Sequence, residues 1–452
     1  MSTFLRVAPV EVLAAYWASL AVFVSHTLWR LTTRRYVFSP YTIPVYTIAF
    51  ALYLIAPMQY DDQAWVVLGQ LDATGYYPFL NLSIGVNAVG LAVVLLVMWY
   101  VESRPRSNPM PPLLTRLPDI SIESIRNVLI GGLVLFAGVL AIVGAIPLFG
   151  ARTIFSAHSE LRPVYNFANF VILFATSSLI VWSFLSRSGR FVLVIAMGVV
   201  AMLLTGGRAS VLSTLELTTF MWIYGKYPNR PGRATALITA SLACVAVAGI
   251  FLASFRVGRD FDIGGILSEV AYANTFSDIR DGAFITAAWE AHESSAPLEG
   301  RSYLAGFLSF LPSSVSDFRS TWSWGYYTTE GLMGWANHFG FRGGWSLEAF
   351  MNFGFAGVVG AAVLCGWLLG RLELLFHRKV VARLDVAFGS AYPLTWVGYS
   401  IFTVLIASSA TYNLYSLLIA LMAAWLMTQF QHTSESGIAR LRFPHSVGQG
   451  RQ

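Results

Sequence analysis

The sequence predicts an all-α polytopic membrane protein, and three observations predict it. Of 452 residues, 56% are hydrophobic, 15% aromatic and only 12% charged, with a mean hydropathy of +0.62. Soluble globular domains carry about twice that charged share. Apolar stretches of about 20 residues recur along nearly the whole chain, long enough as helices to cross a hydrocarbon core about 30 Å thick. The basic residues, finally, crowd into alternate loops. Together these exclude a disordered chain, a coiled coil, a secreted disulfide scaffold and an ordinary soluble enzyme.

The spans are expected at 9–28, 41–59, 79–101, 125–146, 163–185, 190–205, 209–225, 234–254, 348–370, 391–408 and 411–430. Eleven crossings put the two termini on opposite sides. Loops holding Arg30, Arg34 and Arg35, then Arg104 to Arg126, Arg187 and Arg190, Lys226 to Arg233, Arg371 to Arg383 and Arg440 to Arg451 carry 19 of the 29 basic residues. The other side holds 15 of the 23 acidic ones. Positive residues mark the cytoplasmic side, so the N-terminus is expected outside and the C-terminus inside. The first span lacks a clear cleavage site, and its arginines follow rather than precede it, so it is expected to be retained. The net charge of +6 is thereby explained as a topology signal and not as a nucleic-acid surface. Cys244 and Cys365 both fall within expected spans, which leaves neither a disulfide framework nor a cysteine metal site. The chain divides into spans one to eight (1–254), an external loop (255–347), spans nine to eleven (348–430) and a cytoplasmic tail (431–452).

The external loop is the one long hydrophilic segment, and a loop of that length is usually functional or disordered. Its composition argues for order: 266–276 and 283–291 can form short helices, and 303–311 is apolar enough for the membrane interface. Trp322, Trp324, Tyr326, Tyr327, Trp335 and Phe339 form an aromatic group, read either as an interfacial belt or as a surface on which sugar rings stack. The loop also holds Arg256, Arg259, Arg280, Arg301, Arg319 and Arg342. Arginine grips phosphate and diphosphate in a bidentate way. The chain has only two lysines, so the choice of arginine says little, but the position of these six against the charge rule says more. Salt bridges to the loop's own acids are the competing reading.

Two further motifs lie at the membrane boundary. Gly206-Gly207-Arg208 joins two expected spans with no loop to carry the charge away. An ionisable group at that depth faces a cavity, a partner or the headgroups, and the paired glycines permit a tight turn with close ligand approach. Glu216 lies about 80° round the same helix and is not its direct partner. After the loop, Asn337-His338-Phe339-Gly340-Phe341-Arg342-Gly343-Gly344 leads into Glu348-Ala349-Phe350-Met351-Asn352-Phe353-Gly354, continuing to Gly357. Glu348 and Asn352 are four apart and share a helical face. His338 titrates near neutrality and is suited to accept a hydroxyl proton, though a single histidine is more often a plain hydrogen-bonding residue.

These elements resemble the bacterial Wzy-type polymerases of lipid-linked oligosaccharide repeat units, which build O-antigen, enterobacterial common antigen and exopolysaccharides. The resemblance rests on the Gly206-Gly207-Arg208 turn, the arginine-bearing external loop, and the Glu348 to Gly357 segment opening the next span. It covers organisation across most of the chain but only about 25 residues at motif level. One departure stands out. Arg319 to Gly331 and Arg342 to Gly354 are each one residue longer than the Arg-x10-Gly spacing of some members.

The resemblance implies a GT-C-like membrane fold in the bacterial inner membrane. It also implies glycosyl transfer from a glycan on undecaprenyl diphosphate to a fresh lipid-linked unit, with membrane lipid and a chain-length-regulating co-polymerase as partners. Charge develops on the leaving diphosphate, so positioned cations are the main requirement. Arg208, Arg256, Arg259 and Arg342 are the candidates for that role. Arg301, Arg319, Trp322, Trp324 and Asn352 are candidates for glycan or diphosphate contacts, and His338 or Glu348 for orienting or deprotonating the acceptor. No cofactor is expected, although Asp260-Phe261-Asp262 and Asp61-Asp62 are carboxylate pairs of a kind that can hold Mg²⁺ or Mn²⁺. The rival readings are an O-antigen ligase, a metal-dependent GT-C glycosyltransferase, and a flippase or transporter of lipid-linked sugars. The absence of an internal repeat argues against the last.

Overall fold

A computed structural model describes residues 2–33, 35–39, 41–61, 74–104, 122–147, 161–186, 188–205, 230–257, 278–292, 296–308, 315–335, 341 and 343–377, with 219, 220, 223 and 227 between them. Among the described residues every regular element is helical. In chain order these are α1 (Ser2–Val7), α2 (Val10–Thr32), α3 (Ile43–Phe50, continued by tighter and wider turns to Gln59), α4 (Tyr77–Ser103), α5 (Ile122–Val143), α6 (Arg162–Ser186), α7 (Val192–Leu204) and α8 (Pro231–Val257). Then follow α9 (Asp278–Ala291), α10 (Arg301–Phe307), α11 (Asp317–Trp322), α12 (Trp324–Tyr326, extended to Gly331) and α13 (Gly344–Phe376).

Four of these segments are long and apolar enough to cross a membrane: Val10–Thr32, Thr74–Ser103, Ile122–Val143 and Gly344–Leu374. Shorter apolar helices cover Ile43–Gln59, Phe167–Ile180 and Val192–Leu204, and the expected eighth span lies inside α8. The expected spans 391–408 and 411–430, the tail, and nearly all of 209–225 lie outside the described residues. Large apolar side chains point away from the protein, with Leu193 74%, Val134 68% and Leu364 64% exposed. Such faces are stable only against an apolar surrounding, so this is a membrane protein.

The bundle is built around α4, the most buried of the candidate spans. Val12 of α2 lies opposite Gly85 of α4, and Arg30 at the far end of α2 meets Glu102 at the far end of α4, so the two run in the same direction. The long part of α13 does the same: Val358 packs with Val86, Gly366 against Val94, and Gly370 against Val101. Gly366 and Gly370 form a small-x-x-x-small pair that lets the two backbones approach closely. A methyl group at Gly366 would sit 2.6 Å from the Val94 carbonyl oxygen, a backbone atom that cannot swing aside. Gly366→Ala is therefore expected to force the helices apart and destabilise the protein by about 1–3 kcal/mol. Gly360→Ala, where nothing lies within 4 Å, should be neutral. Thermal unfolding of both variants in detergent checks this. A Gly366→Ala protein that melts with wild type would refute the close approach.

Where the three parallel helices end, a charged group is sealed inside the bundle. Arg30 is fully buried and donates through Nη1 to both oxygens of Glu102, at 2.8 and 2.9 Å. Its Nη2 reaches Glu373, and Nε donates to the Tyr36 carbonyl at 2.9 Å. Glu373 also accepts from the Ser39 hydroxyl, and Arg35 approaches Glu102 at 3.4 Å. The charge pattern of the sequence places Arg30 in a cytoplasmic loop. It is instead a buried cation shared by two buried carboxylates, because an isolated charge at that depth would be prohibitively costly.

Candidate functional site

At the opposite end of the bundle the chain does something that a simple span does not. α13 is broken at Phe353 (φ −140°) and Gly354 (φ 64°, ψ −158°). Gly354 occupies a backbone region closed to ordinary L-residues, which is why a glycine stands there. The break divides α13 into a short arm (344–352) and a long arm (355–376). Trp345 packs at Gly90 and Ala349 beside Val86, so the short arm runs opposite to α4 before the chain turns back. The arms lie so close that a methyl on Gly357 would come within 2.4 Å of the Ala349 carbonyl. The expected ninth span, 348–370, lies within this segment, and its uninterrupted helix begins after Gly354.

A broken helix leaves carbonyls without partners, and here the turn before α10 supplies them. The Leu298 N–H donates to Met351 O at 2.9 Å, and the Glu299 N–H to Asn352 O at 3.2 Å. The Gly300 N–H donates to the Asn352 side-chain oxygen at 2.9 Å. Asn352 Nδ2 donates in turn to Ser302 Oγ and to Glu348 O, both at 2.8 Å, and the Ser302 hydroxyl donates to Glu348 Oε1 at 2.7 Å. Glu348 and Asn352, predicted to share a face, do so and together staple α10 to the short arm. Both are buried, at 0% and 1% exposed. Tyr303 stacks on Phe353 with centroids 6.3 Å apart, and its hydroxyl pKa is raised by burial first, with Glu348 adding to the effect.

The staple fixes what α10 displays outward. Arg301, exposed, holds its guanidinium 4.7 Å above the Trp322 ring, and Trp322 stacks on Tyr327 at 5.6 Å with planes 27° apart. Burial raises the Tyr327 pKa, and the nearby Arg301 charge opposes that. This is a half-buried cation–aromatic stack, with Arg301 its exposed member, of a chemistry suited to anionic or sugar groups. Trp324, only two residues on, is 3% exposed and sits in a core with Ile285, Leu298, Phe341, Leu347 and Met351. Trp324 thus drops out of the expected aromatic group, while Trp322 is half-buried and Tyr326 and Trp335 are 40% and 44% exposed. Arg319 lies half-buried on α11, whose start is capped by Ser316 Oγ accepting from the Arg319 N–H at 3.3 Å.

Arg280 was counted among the loop arginines but not singled out. It is fully buried on α9, which is tied to α4 by the Ser83 hydroxyl donating to Ile279 O at 2.8 Å. Burial lowers its pKa, and Asp281 beside it acts against that. No sequence signal separated this inward arginine from the outward Arg301.

Arg208, Glu216, Arg259, His338, Arg342, Asp62, and Asp260 with Asp262 lie outside the described residues, as does 266–276. Arg256 belongs to α8. Among the described residues no three histidine, cysteine or acidic side chains gather as a metal site. No protein-family model matches the chain, and no curated protein or solved structure matches it either.

Proposed function

We propose that the protein is a polysaccharide polymerase, a glycosyltransferase that joins undecaprenyl-diphosphate-linked oligosaccharide units at the periplasmic face of the bacterial inner membrane. The observation that carries this reading is the Arg301–Trp322–Tyr327 surface, held at one end of an apolar bundle by the Glu348–Asn352 staple. A cation over stacked aromatics suits a substrate that is part sugar and part diphosphate. It stands at the end of α4 and α13 remote from the Arg30 cluster, in keeping with an eleven-span arrangement whose N-terminus is outside.

In the reaction, the acceptor hydroxyl oxygen bonds to the donor's anomeric carbon while the bond from that carbon to the diphosphate oxygen breaks. The electron pair leaves with undecaprenyl diphosphate, and the hydroxyl proton passes to a base. Cations offset the charge arriving on the diphosphate, a role for Arg208 with Arg256, Arg259, Arg301 and Arg342. His338 is the first candidate for the base. Glu348 is sealed and engaged by Ser302, which suits it to positioning α10.

The test is deletion of the gene, complementation, and separation of lipid-linked glycans by length. Single repeat units without ladders are expected in the deletion. Wild type restores the ladder, whereas Arg208→Ala and Arg301→Ala, expressed at normal level, lower polymer by about 10²-fold. Ladders of wild-type length in both variants would refute the assignment. Long unattached chains in the deletion would indicate a ligase, and units trapped on the cytoplasmic side a flippase. Loss of activity with EDTA would bring a metal at Asp260 and Asp262 into the mechanism.

A further inference from the structure

Arg371 poses a separate problem. It lies on the long arm of α13, two residues before Glu373, and is 8% exposed. Glu373 and Glu102 are already engaged by Arg30. Neither carboxylate pairs with Arg371, and its buried Nε has no hydrogen-bond partner. The contact that holds it is the Trp367 ring, 5.5 Å from the guanidinium. A buried cation without an anion is strongly unfavourable, so an anion that is not part of the described chain is expected beside it.

The surroundings say which anion. Arg371 closes one end of a groove of about 550 Å³ between α4 and α13, walled by Val97, Tyr100, Val363, Leu364 and Trp367. That volume is in the range of about 300–1,000 Å³ that holds one small ligand. Apart from Tyr100, Trp367 and Arg371 itself, the walls are aliphatic, and Leu364 is 64% exposed toward the apolar surroundings. Tyr100 and Trp367 flank the charged end, where amphipathic rings mark the headgroup level. Arg104 stands at the same end, its guanidinium 4.6 Å over the Tyr100 ring and its Nη1 donating to the Tyr100 hydroxyl at 3.1 Å. A free phosphate would satisfy the arginine but leave the apolar groove unexplained. A neutral lipid would do the reverse.

We infer that the α4–α13 groove is a binding site for an anionic glycerophospholipid, with one acyl chain along Val363 and Leu364 and the phosphate on Arg371. The site lies at the Arg30 end of the bundle, away from Arg301 and Trp322, and is therefore independent of the proposed reaction. The lipid supplies the counter-charge that Arg371 lacks and fills the groove beside the Gly366–Gly370 contact.

The test uses the full chain purified in mild detergent and exchanged into nanodiscs of phosphatidylcholine doped with phosphatidylglycerol, with retained lipid counted by native mass spectrometry. Wild type is expected to retain phosphatidylglycerol about tenfold better than Arg371→Gln, the scale of one charge-assisted hydrogen bond. Leu364→Trp, at a position facing outward, is expected to lower retention similarly by filling the groove while leaving the fold intact. Phosphatidylcholine retention should not change in either variant. Unaltered phosphatidylglycerol retention in Leu364→Trp would overturn the proposal even if Arg371→Gln failed to fold. So would preferential retention of undecaprenyl phosphate, or a photo-crosslinker at position 364 joining to residues 391–430 of the same chain instead of to lipid.

Discussion

Replacing Arg30 with methionine is expected to destabilise the protein by about 3–5 kcal/mol, the largest stability effect of any single substitution considered. Methionine is shorter but keeps the unbranched apolar stem, so packing is the smaller loss. What is lost is the cation between Glu102 and Glu373, both fully buried and each hydrogen-bonded to it. The two carboxylates would then face each other across the ends of three helices, with Arg35, at 3.4 Å and 22% exposed, the nearest arginine left among the described residues. Removing all the charges at once should cost far less, because buried ion groups replaced together are often near neutral. Arg30→Met combined with Glu102→Gln and Glu373→Gln is therefore expected to recover most of the lost stability. Melting temperature and monodisperse yield in detergent measure both variants. A single mutant that melts with wild type, or a triple mutant worse than the single one, would show that the cluster does not hold the helix ends together.

Asn352→Leu is expected to be the most damaging change at the other end. Leucine keeps the branched outline, though it is bulkier, and removes the acceptor for the Gly300 N–H and the donor to Ser302 Oγ and Glu348 O. Two or three bonds at roughly 1 kcal/mol each, with polar groups left buried, give a loss of about 2–4 kcal/mol. The loss is local in character: α10 comes free of the short arm while the bundle stays packed. Hydrogen exchange of residues 296–308 should rise sharply while that of α4 holds and, if the proposed polymerase reading is right, glycan polymer should fall with it. Asn352→Asp should not rescue the polymer. It keeps an acceptor but sets a second carboxylate beside Glu348. Unchanged exchange across 298–302 in Asn352→Leu would mean that the staple does not position α10.

How much of this was readable beforehand depends on the range of the interactions. Helices such as α2 and α4 follow from long apolar runs, a local property that composition carries directly. The shared face of Glu348 and Asn352 follows from their spacing of four. The Arg30 cluster could not be read in the same way, since its partners lie 72 and 343 positions away in sequence. A clue did exist in acids at the tails of two apolar runs, Glu102 and Glu373, but each alone resembles a loop charge. Trp322 and Trp324 differ by two positions in short helices with no lasting periodicity, so nothing in the chain told the half-buried ring from the fully buried one. The break at Gly354 was visible only as an Asn-Phe-Gly step within an apolar run that otherwise looked continuous.

The common heading of α2, α4 and the long arm of α13 carries an arithmetic of its own. A chain that crosses a membrane and later crosses again in the same direction has made an odd number of passages in between. One passage separates α2 from α4, where Ile43–Gln59 is available. Between α4 and the long arm the expected spans number five, which satisfies the parity. A layout that dropped or added a single passage there would leave Glu373 on the wrong side of the membrane from Arg30. Reporter fusions after Ser103 and after Phe376 should therefore report the same compartment, whatever the final tally of helices.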